Sequence, residues 1–182
     1  TLVAPAQRRI RWRWDGGASG DGPSPTETVV AGVRRLRFEA RNRHEIKALD
    51  PTKKVAGEVY TVSGHIDQTR DPHDTLVLWT GLLSKAPAGK VLVCQPHTHM
   101  VALMGELSAE TLQHKGVRGY VVDGGCRDTE FILKIGFPVF CSFNTPADIV
   151  GRWVPDRFGE PLTIGGVTIS TGDYLLGDRD GV

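Results

Sequence analysis

Cysteine is scarce in this 182-residue chain: Cys94, Cys126 and Cys141 are the whole complement, and no two of them stand in C-x-x-C spacing. An odd number of thiols without that spacing excludes a disulfide framework and a structural zinc site, and reads as reduced cysteine. Long apolar runs are missing as well, since none approaches the roughly 20 residues of a membrane-spanning helix. The opening "TLVAPAQRRIRWRW" has no apolar stretch followed by a cleavage site. The expected location is therefore the cytoplasm, away from any membrane. Neither sign of charge dominates, because 22 Lys and Arg against 21 Asp and Glu leave a net +1. A chain that is acidic or basic throughout is thereby excluded.

What the chain does have is an ordinary globular balance, 40% hydrophobic and 24% charged. Together with the length, that predicts one domain with one substantial core. The small net charge conceals an asymmetry: residues 1–47 hold ten Lys/Arg and five Asp/Glu (+5), and residues 48–182 hold twelve and sixteen (−4). Arg8, Arg9, Arg11 and Arg13 interleave with Trp12 and Trp14, a pattern able to meet phosphates and stack on bases. "DGGASGDGPSPTE" then has linker composition. Residues 1–25 are accordingly read as a basic, Gly/Pro-rich arm without stable order, and 26–182 as a single α/β domain.

Periodicity supplies the elements. "TETVVAGVRRLRFEARNRHEIKAL" (26–49) places Val29, Val33, Leu36 and Phe38 on one side and predicts an amphipathic helix. "KVAGEVYTVSG" (54–64) alternates and predicts a strand. Asp74 is expected to cap a helix over "TLVLWTGLLSKA", with Leu76, Trp79, Leu82 and Leu83 on one face. Strand "VLVC" (91–94), a helix over 105–115, strand "GYVV", helix "RDTEFILKI" and strand "PVFCSF" continue the alternation, which argues a layered α/β core. "PLTIGGVTIS" reads as a hairpin turning at Gly165-Gly166, and "GDYLL" as a further short strand. The fold expected is thus α/β with a β-rich C-terminal segment.

The chemistry-bearing stretch is "GYVVDGGCRDTE" (119–130). Gly124 and Gly125 suggest a tight strand-to-helix turn that a ligand can approach. In α/β sheets, ligands bind beyond the carboxyl ends of the strands, where helix N-termini point. Asp128 offers a hard oxygen ligand suited to Mg²⁺, which keeps several waters and often takes only one or two carboxylates. Arg127 offers a fork of donors to a carboxylate, carbonyl or enolate oxygen. The competing reading makes Asp128 a helix cap and Arg127 a solvated side chain. A second glycine-marked helix start, "MGELS", would leave the N–H groups of Leu107 and Ser108 available to an anion, with Glu106 as the acid at that edge or simply a first-turn charge.

"MGELSAETLQHKGVRGYVVDGGCRDTEFILKIGFPVF" followed by "IGGVTISTGDYLLGDRDGV" resembles the family that groups regulator of ribonuclease activity A-like proteins with 4-hydroxy-4-methyl-2-oxoglutarate/4-carboxy-4-hydroxy-2-oxoadipate aldolases. The likeness runs over about 54–182, with "VAGEVYTV", "GEL", "GGCRD" and "GGVTISTGDYLLGDRDGV" in the family's order. The resemblance implies a swivelling β/β/α sandwich, trimers or hexamers, and active sites at subunit boundaries. Aldolase-competent members carry an acid, twenty residues, then Arg-Asp; here Glu106 is followed by 107–126 and then Arg127-Asp128. It implies Asp128 as direct ligand of a divalent metal, Mg²⁺ or Mn²⁺, and Glu106 as holder of a water on that metal. By the same resemblance Arg127 meets the C2 oxygen of a pyruvyl group, and the Gly105-Leu107-Ser108 turn receives its carboxylate. The activity implied is cleavage of a 4-hydroxy-2-oxo acid to pyruvate, with oxaloacetate decarboxylation beside it. The alternative is a protein that binds and inhibits a ribonuclease without catalysis.

Other features are set aside. His97 and His99, with Cys94 nearby, lack a third ligand for zinc and read as loop histidines. Asp178 and Asp180 lack the rest of a calcium loop and read as a turn. Cys126, beside Arg127, reads as a small buried residue rather than a reactive thiol. Arg152 and Trp153 either border the substrate entrance or pack.

Overall fold

The computed structural model describes residues 46–182. The basic arm and residues 26–45 of the expected first helix lie outside the described residues. The end of that helix does not form: Lys47–Ala48 is instead a short strand, β1. Thereafter come β2 (Val55–Ile66), α1 (Pro72–Lys85), β3 (Val91–Gln95), α2 (Glu106–His114), β4 (Gly119–Cys126), α3 (Thr129–Ile135), β5 (Val139–Asn144), β6 (Trp153–Phe158), β7 (Leu162–Ile164), β8 (Val167–Ile169) and β9 (Tyr174–Gly177). The main sheet has the order β1-β5-β4-β3-β2-β6, and β9 pairs with β2 beside that path. Strands β2 to β5 run parallel, while β1, β6 and β9 join antiparallel.

Parallel strands joined by helices must be apolar on both faces, and β3 is buried at every position. On one face Leu92, Cys94, Tyr120 and Val122 meet Trp79 and Leu82 of α1, Ala109 and Leu112 of α2, and Ile132 of α3. On the other, Val59, Val91, Val93, Val121 and Phe140 meet Leu162, Ile164 and Ile169 of the β7–β8 hairpin and Leu175 of β9. The result is an α/β fold of helices, sheet and hairpin in layers. Gly165 and Gly166 turn the hairpin at φ 57° and 82°, as a two-residue turn with both central residues left-handed requires.

Three local expectations are corrected. The start of α1 is set one turn earlier than expected: Asp71, not Asp74, caps it by accepting the His73 N–H at 2.8 Å, and Pro72 opens the first turn. Leu76 is 43% exposed, so the buried face is Thr75, Trp79, Leu82 and Leu83. Second, Gly124-Gly125 is not a turn; β4 continues through it to Cys126. Third, "WVPDRF" is a strand, β6, where the sequence reading assigned no element, and it carries Pro155, a residue that opposes a ladder. It survives because β6 is the terminal strand of the sheet order and pairs with β2 alone.

Trp153 settles the role of that segment. It is 0% exposed, stands 6.0 Å edge-on to Trp79, and donates through Nε1 to the Pro96 carbonyl at 2.9 Å. It packs rather than borders an entrance, whereas Arg152 is exposed. We expect Trp153→Ala to cost about 3–5 kcal/mol of stability, the usual loss for a large buried aromatic, measurable by urea unfolding. No helix among the described residues is long and apolar enough to cross a membrane.

Candidate active site

The site forms where β4 ends. The segment before α2, Val101 to Met104, is buried and lies along the last residues of β4 like an added strand. Ala102 bridges Gly125, Leu103 N–H donates to the Gly125 carbonyl at 2.8 Å, and Arg127 N–H donates to the Met104 carbonyl at 2.8 Å. This explains Gly125. A Cβ on Gly125 would lie 2.8 Å from the Val101 carbonyl and 2.9 Å from the Phe143 ring, so glycine is required by the close backbone approach and not by a turn. The same approach delivers Gly105, the first residue of the α2 entry, next to Arg127 and Asp128.

The two halves of the expected set therefore meet. Asp128 Oδ2 accepts the backbone N–H of Glu106 at 3.0 Å, across 22 positions of sequence. Arg127 Nε lies 3.4 Å from the same oxygen. Asp128 holds φ 53°, ψ 37°, the left-handed region that Asp and Asn enter more readily than most residues. It occupies the N-cap position of α3, yet its side chain makes no cap bond. The carboxylate is turned to the neighbouring helix instead, which disposes of the simple capping reading. Arg127 is likewise not merely solvated: Nη1 donates to Asp148 Oδ2 at 2.5 Å.

Helix α2 begins at Glu106, so its first N–H groups have no carbonyl one turn back. That of Glu106 is taken by Asp128, and those of Leu107 and Ser108 remain without a partner inside the helix. The Leu107 side chain is 76% exposed. Ser108 is buried, and its Oγ accepts the Trp79 indole N–H at 2.9 Å, which ties its side chain to α1. Gly105, Glu106, Leu107, Ser108, Arg127 and Asp128 are thus brought to one place.

Asp148 is the member that the sequence reading missed. It sits in "FNTPADIVGRW", a stretch read there through Arg152 and Trp153 instead. With Asp128 it makes two carboxylates beside one guanidinium, a formal charge of −2 + 1 = −1. Such a surplus favours a bound cation. Among the described residues, Asp128 Oδ1 makes no hydrogen bond, and the Glu106 carboxylate makes neither a hydrogen bond nor an ion pair. No group of three His, Cys, Asp or Glu among the described residues is placed to hold a metal alone. A cation held here would take only one or two protein carboxylates, a mode that Mg²⁺ with its retained waters can use and a closed zinc site cannot.

The features set aside in the sequence remain so. His97 donates its N–H to Gln95 Oε1, and His99 Nε2 lies 3.3 Å from Asp123 Oδ1, both in the loop after β3. Asp178 and Asp180 form a turn, Asp180 N–H donating to Asp178 Oδ1 at 3.0 Å. All three cysteines are free and buried. Cys126 shares a hydrogen bond with Cys141 and is desolvated, and both effects hold its thiol far above the ordinary range. Burial pushes Cys94 up to about 12.

The α/β fold carries a charged, glycine-cradled cluster beyond the carboxyl end of a parallel strand, the place where sheets of this kind bind ligands. The RraA-like family pattern (Aldolase/RraA) matches residues 26–182, and the chain belongs to that family. A protein of Halalkalibacterium halodurans is 29% identical over 140 residues, 75% of this chain and 62% of that protein. One from Marinomonas is 32% identical over 129 residues, 69% of this chain and 73% of that protein. Both carry the name "Putative 4-hydroxy-4-methyl-2-oxoglutarate aldolase". Among solved structures, Streptomyces coelicolor RraAS2, described as an unusual member of the RNase ES inhibitor RraA protein family, superposes with a TM-score of 0.66 at 29% identity. It covers 83% of this chain and 72% of that one. This chain thus spans about three fifths of the first relative's length.

Proposed function

We propose that this chain is a divalent-metal-dependent carbon–carbon lyase that cleaves a 4-hydroxy-2-oxo acid, such as 4-hydroxy-4-methyl-2-oxoglutarate, to pyruvate. The observation that carries the reading is the union of Glu106 with Arg127-Asp128 through the Glu106 N–H to Asp128 bond. Asp128, with Glu106 beside it, would hold Mg²⁺ or Mn²⁺, which supplies Lewis-acid polarisation of the 2-oxo group. The amides of Leu107 and Ser108, at a helix N-terminus, suit the substrate's C1 carboxylate. Arg127 donates to the C2 oxygen. As the C3–C4 bond breaks, the C4 hydroxyl gives its proton to a water or hydroxide in the site and becomes a carbonyl, and the bonding pair passes to C3 as the pyruvate enolate. Negative charge grows on the C2 oxygen during that step, where a fixed guanidinium is worth most. Return of that proton to C3 completes pyruvate.

Loss of CO₂ from oxaloacetate produces the same enolate, so that decarboxylation is the expected side reaction. The side chains of Arg127, Asp128 and Asp148 are 36–40% exposed, which suits a site closed by a neighbouring subunit in a homotrimer or hexamer. Reduced, buried thiols suit the cytoplasm. The second reading, a non-catalytic regulator that binds a ribonuclease, is favoured by the RraA neighbours, RraAS2 among them and an RNA-processing inhibitor RraA from Thermus at 27% identity and a TM-score of 0.59.

A pyruvate-coupled assay on 4-hydroxy-4-methyl-2-oxoglutarate and on oxaloacetate, with and without Mg²⁺ or Mn²⁺, separates the two. The lyase predicts turnover that chelation removes and metal restores. Inactivity on both substrates in the presence of metal would overturn it in favour of the regulator.

A further inference from the structure

We propose that Asp148 is a positioning residue for this site: its carboxylate fixes the attitude of the Arg127 guanidinium and leaves the remaining donors of that group to the substrate. The kinetic part of this inference rests on the lyase reading; the geometric part does not.

Arg127 needs such a device. Its side chain is 36% exposed, so packing alone does not fix it. A long, partly exposed arginine loses considerable rotamer freedom when fixed, and something must offset that loss. The structure shows two carboxylates on two edges of the guanidinium. Nε lies 3.4 Å from Asp128 Oδ2, and Nη1 donates to Asp148 Oδ2 at 2.5 Å. Guanidinium has five N–H donors; one is taken by Asp148, and among the described residues the other four make no hydrogen bond. Asp128 alone would leave the fork free to swing about Nε. The second contact stops that rotation.

Asp148 can serve as an anchor because its own backbone is tied down. Its Oδ1 accepts the Val150 N–H at 3.2 Å. On one side the Ala147 carbonyl accepts the Ala102 N–H at 2.8 Å; on the other, the Gly151 N–H donates to Thr75 Oγ1 at 2.9 Å. Ile149 between them is 4% exposed. The Ala102 contact ties Asp148 to the same buried segment that carries Gly105, so both sides of Arg127 share one support.

The charge of Asp148 has a second effect. A carboxylate on Nη1 lowers the pull of Arg127 on any anion, so Asp148 improves aim at the expense of ground-state attraction. Removing the charge should therefore separate the two kinetic constants. Asp148→Asn is the variant of choice, because its amide oxygen can still accept the Val150 N–H and keep the loop in place.

The test has two arms on the full chain. In ¹H–¹⁵N spectra, the Arg127 Nε–H resonance is assigned by its loss in Arg127→Lys. We expect a discrete signal in the wild type that merges with the exposed arginines in Asp148→Asn. In the Mg²⁺-supplemented lyase assay, we expect kcat to fall about 10- to 100-fold, the scale of a small misplacement of a reacting group, with KM unchanged or lower. An unmoved Arg127 signal overturns the proposal, whatever the assay shows. A drop in melting temperature with a lower kcat and a higher KM assigns Asp148 to maintenance of the fold, and also overturns it. If the wild type has no turnover, the lyase reading fails, and the spectral arm alone decides the role of Asp148.

Discussion

Asp128→Asn is expected to remove metal-dependent turnover while leaving the fold intact. The Lewis-acid contribution of a divalent cation is several kcal/mol of transition-state stabilisation, and at about 1.4 kcal/mol per tenfold the loss should reach about 10³-fold. Asparagine is a sharper choice than alanine. Asp128 has φ 53°, and asparagine tolerates that conformation, whereas alanine would add backbone strain of roughly 1–2 kcal/mol. Asparagine also retains an oxygen to accept the Glu106 N–H. Circular dichroism melts should therefore nearly coincide, and isothermal titration with Mn²⁺ should show weakened binding. Metal-dependent turnover equal to the wild type would mean that the carboxylate is not the ligand.

Gly105→Ala is the second variant with a large expected effect, and its reasoning differs. Gly105 has φ −146° and ψ −177°, an extended conformation open to any residue, so alanine brings no torsional penalty. The obstacle is space. A Cβ there would lie 2.6 Å from Asp128 Oδ2, 2.9 Å from Arg127 Nε and 3.1 Å from Arg127 Cγ. Both side chains are partly exposed and can give way outward, so the domain should fold. Arg127 and Asp128 would be displaced from Glu106, and a shift on the order of 1 Å in a catalytic group costs about 10²-fold in rate. Steady-state kinetics with a melting control would show a loss in kcat/KM without matching instability. Undiminished activity would mean that the attitude of Arg127 and Asp128 does not matter to the reaction.

Much of the fold was legible in the residues. Alternation over Lys54 to Gly64 marks β2, and the apolar "VLVC" marks a strand buried on both faces, because each pattern states what both faces of the strand touch. Gly165-Gly166 marks a hairpin because only that turn requires two residues at positive φ. Local signals failed where a tertiary neighbour changed their meaning. Pro155 opposes a strand in general, yet a terminal strand accepts it. Gly124-Gly125 resembles a turn in isolation, and only the packing of Val101 against Gly125 shows that small residues were needed inside a strand. Asp71 and Asp74 are both plausible caps by type. The one followed by proline at the first helical position is the cap.

For the site the division follows the range of the interactions. The sequence by itself determined the chemical inventory and its order: an acid at Glu106, a glycine before it, and Arg127-Asp128 after twenty residues, within a family pattern that spans 26–182. These are legible because residue type and spacing survive without coordinates. The tertiary structure alone decided that Asp128 turns to the Glu106 N–H rather than capping its own helix, that Gly105 is glycine to make room for Arg127 and Asp128, and that Asp148 holds the far edge of the guanidinium. The physical reason is that each of these is a contact of a few ångströms across about 20 residues of chain. Their strength depends on where the intervening strand and helix deliver the backbone, which no local pattern encodes.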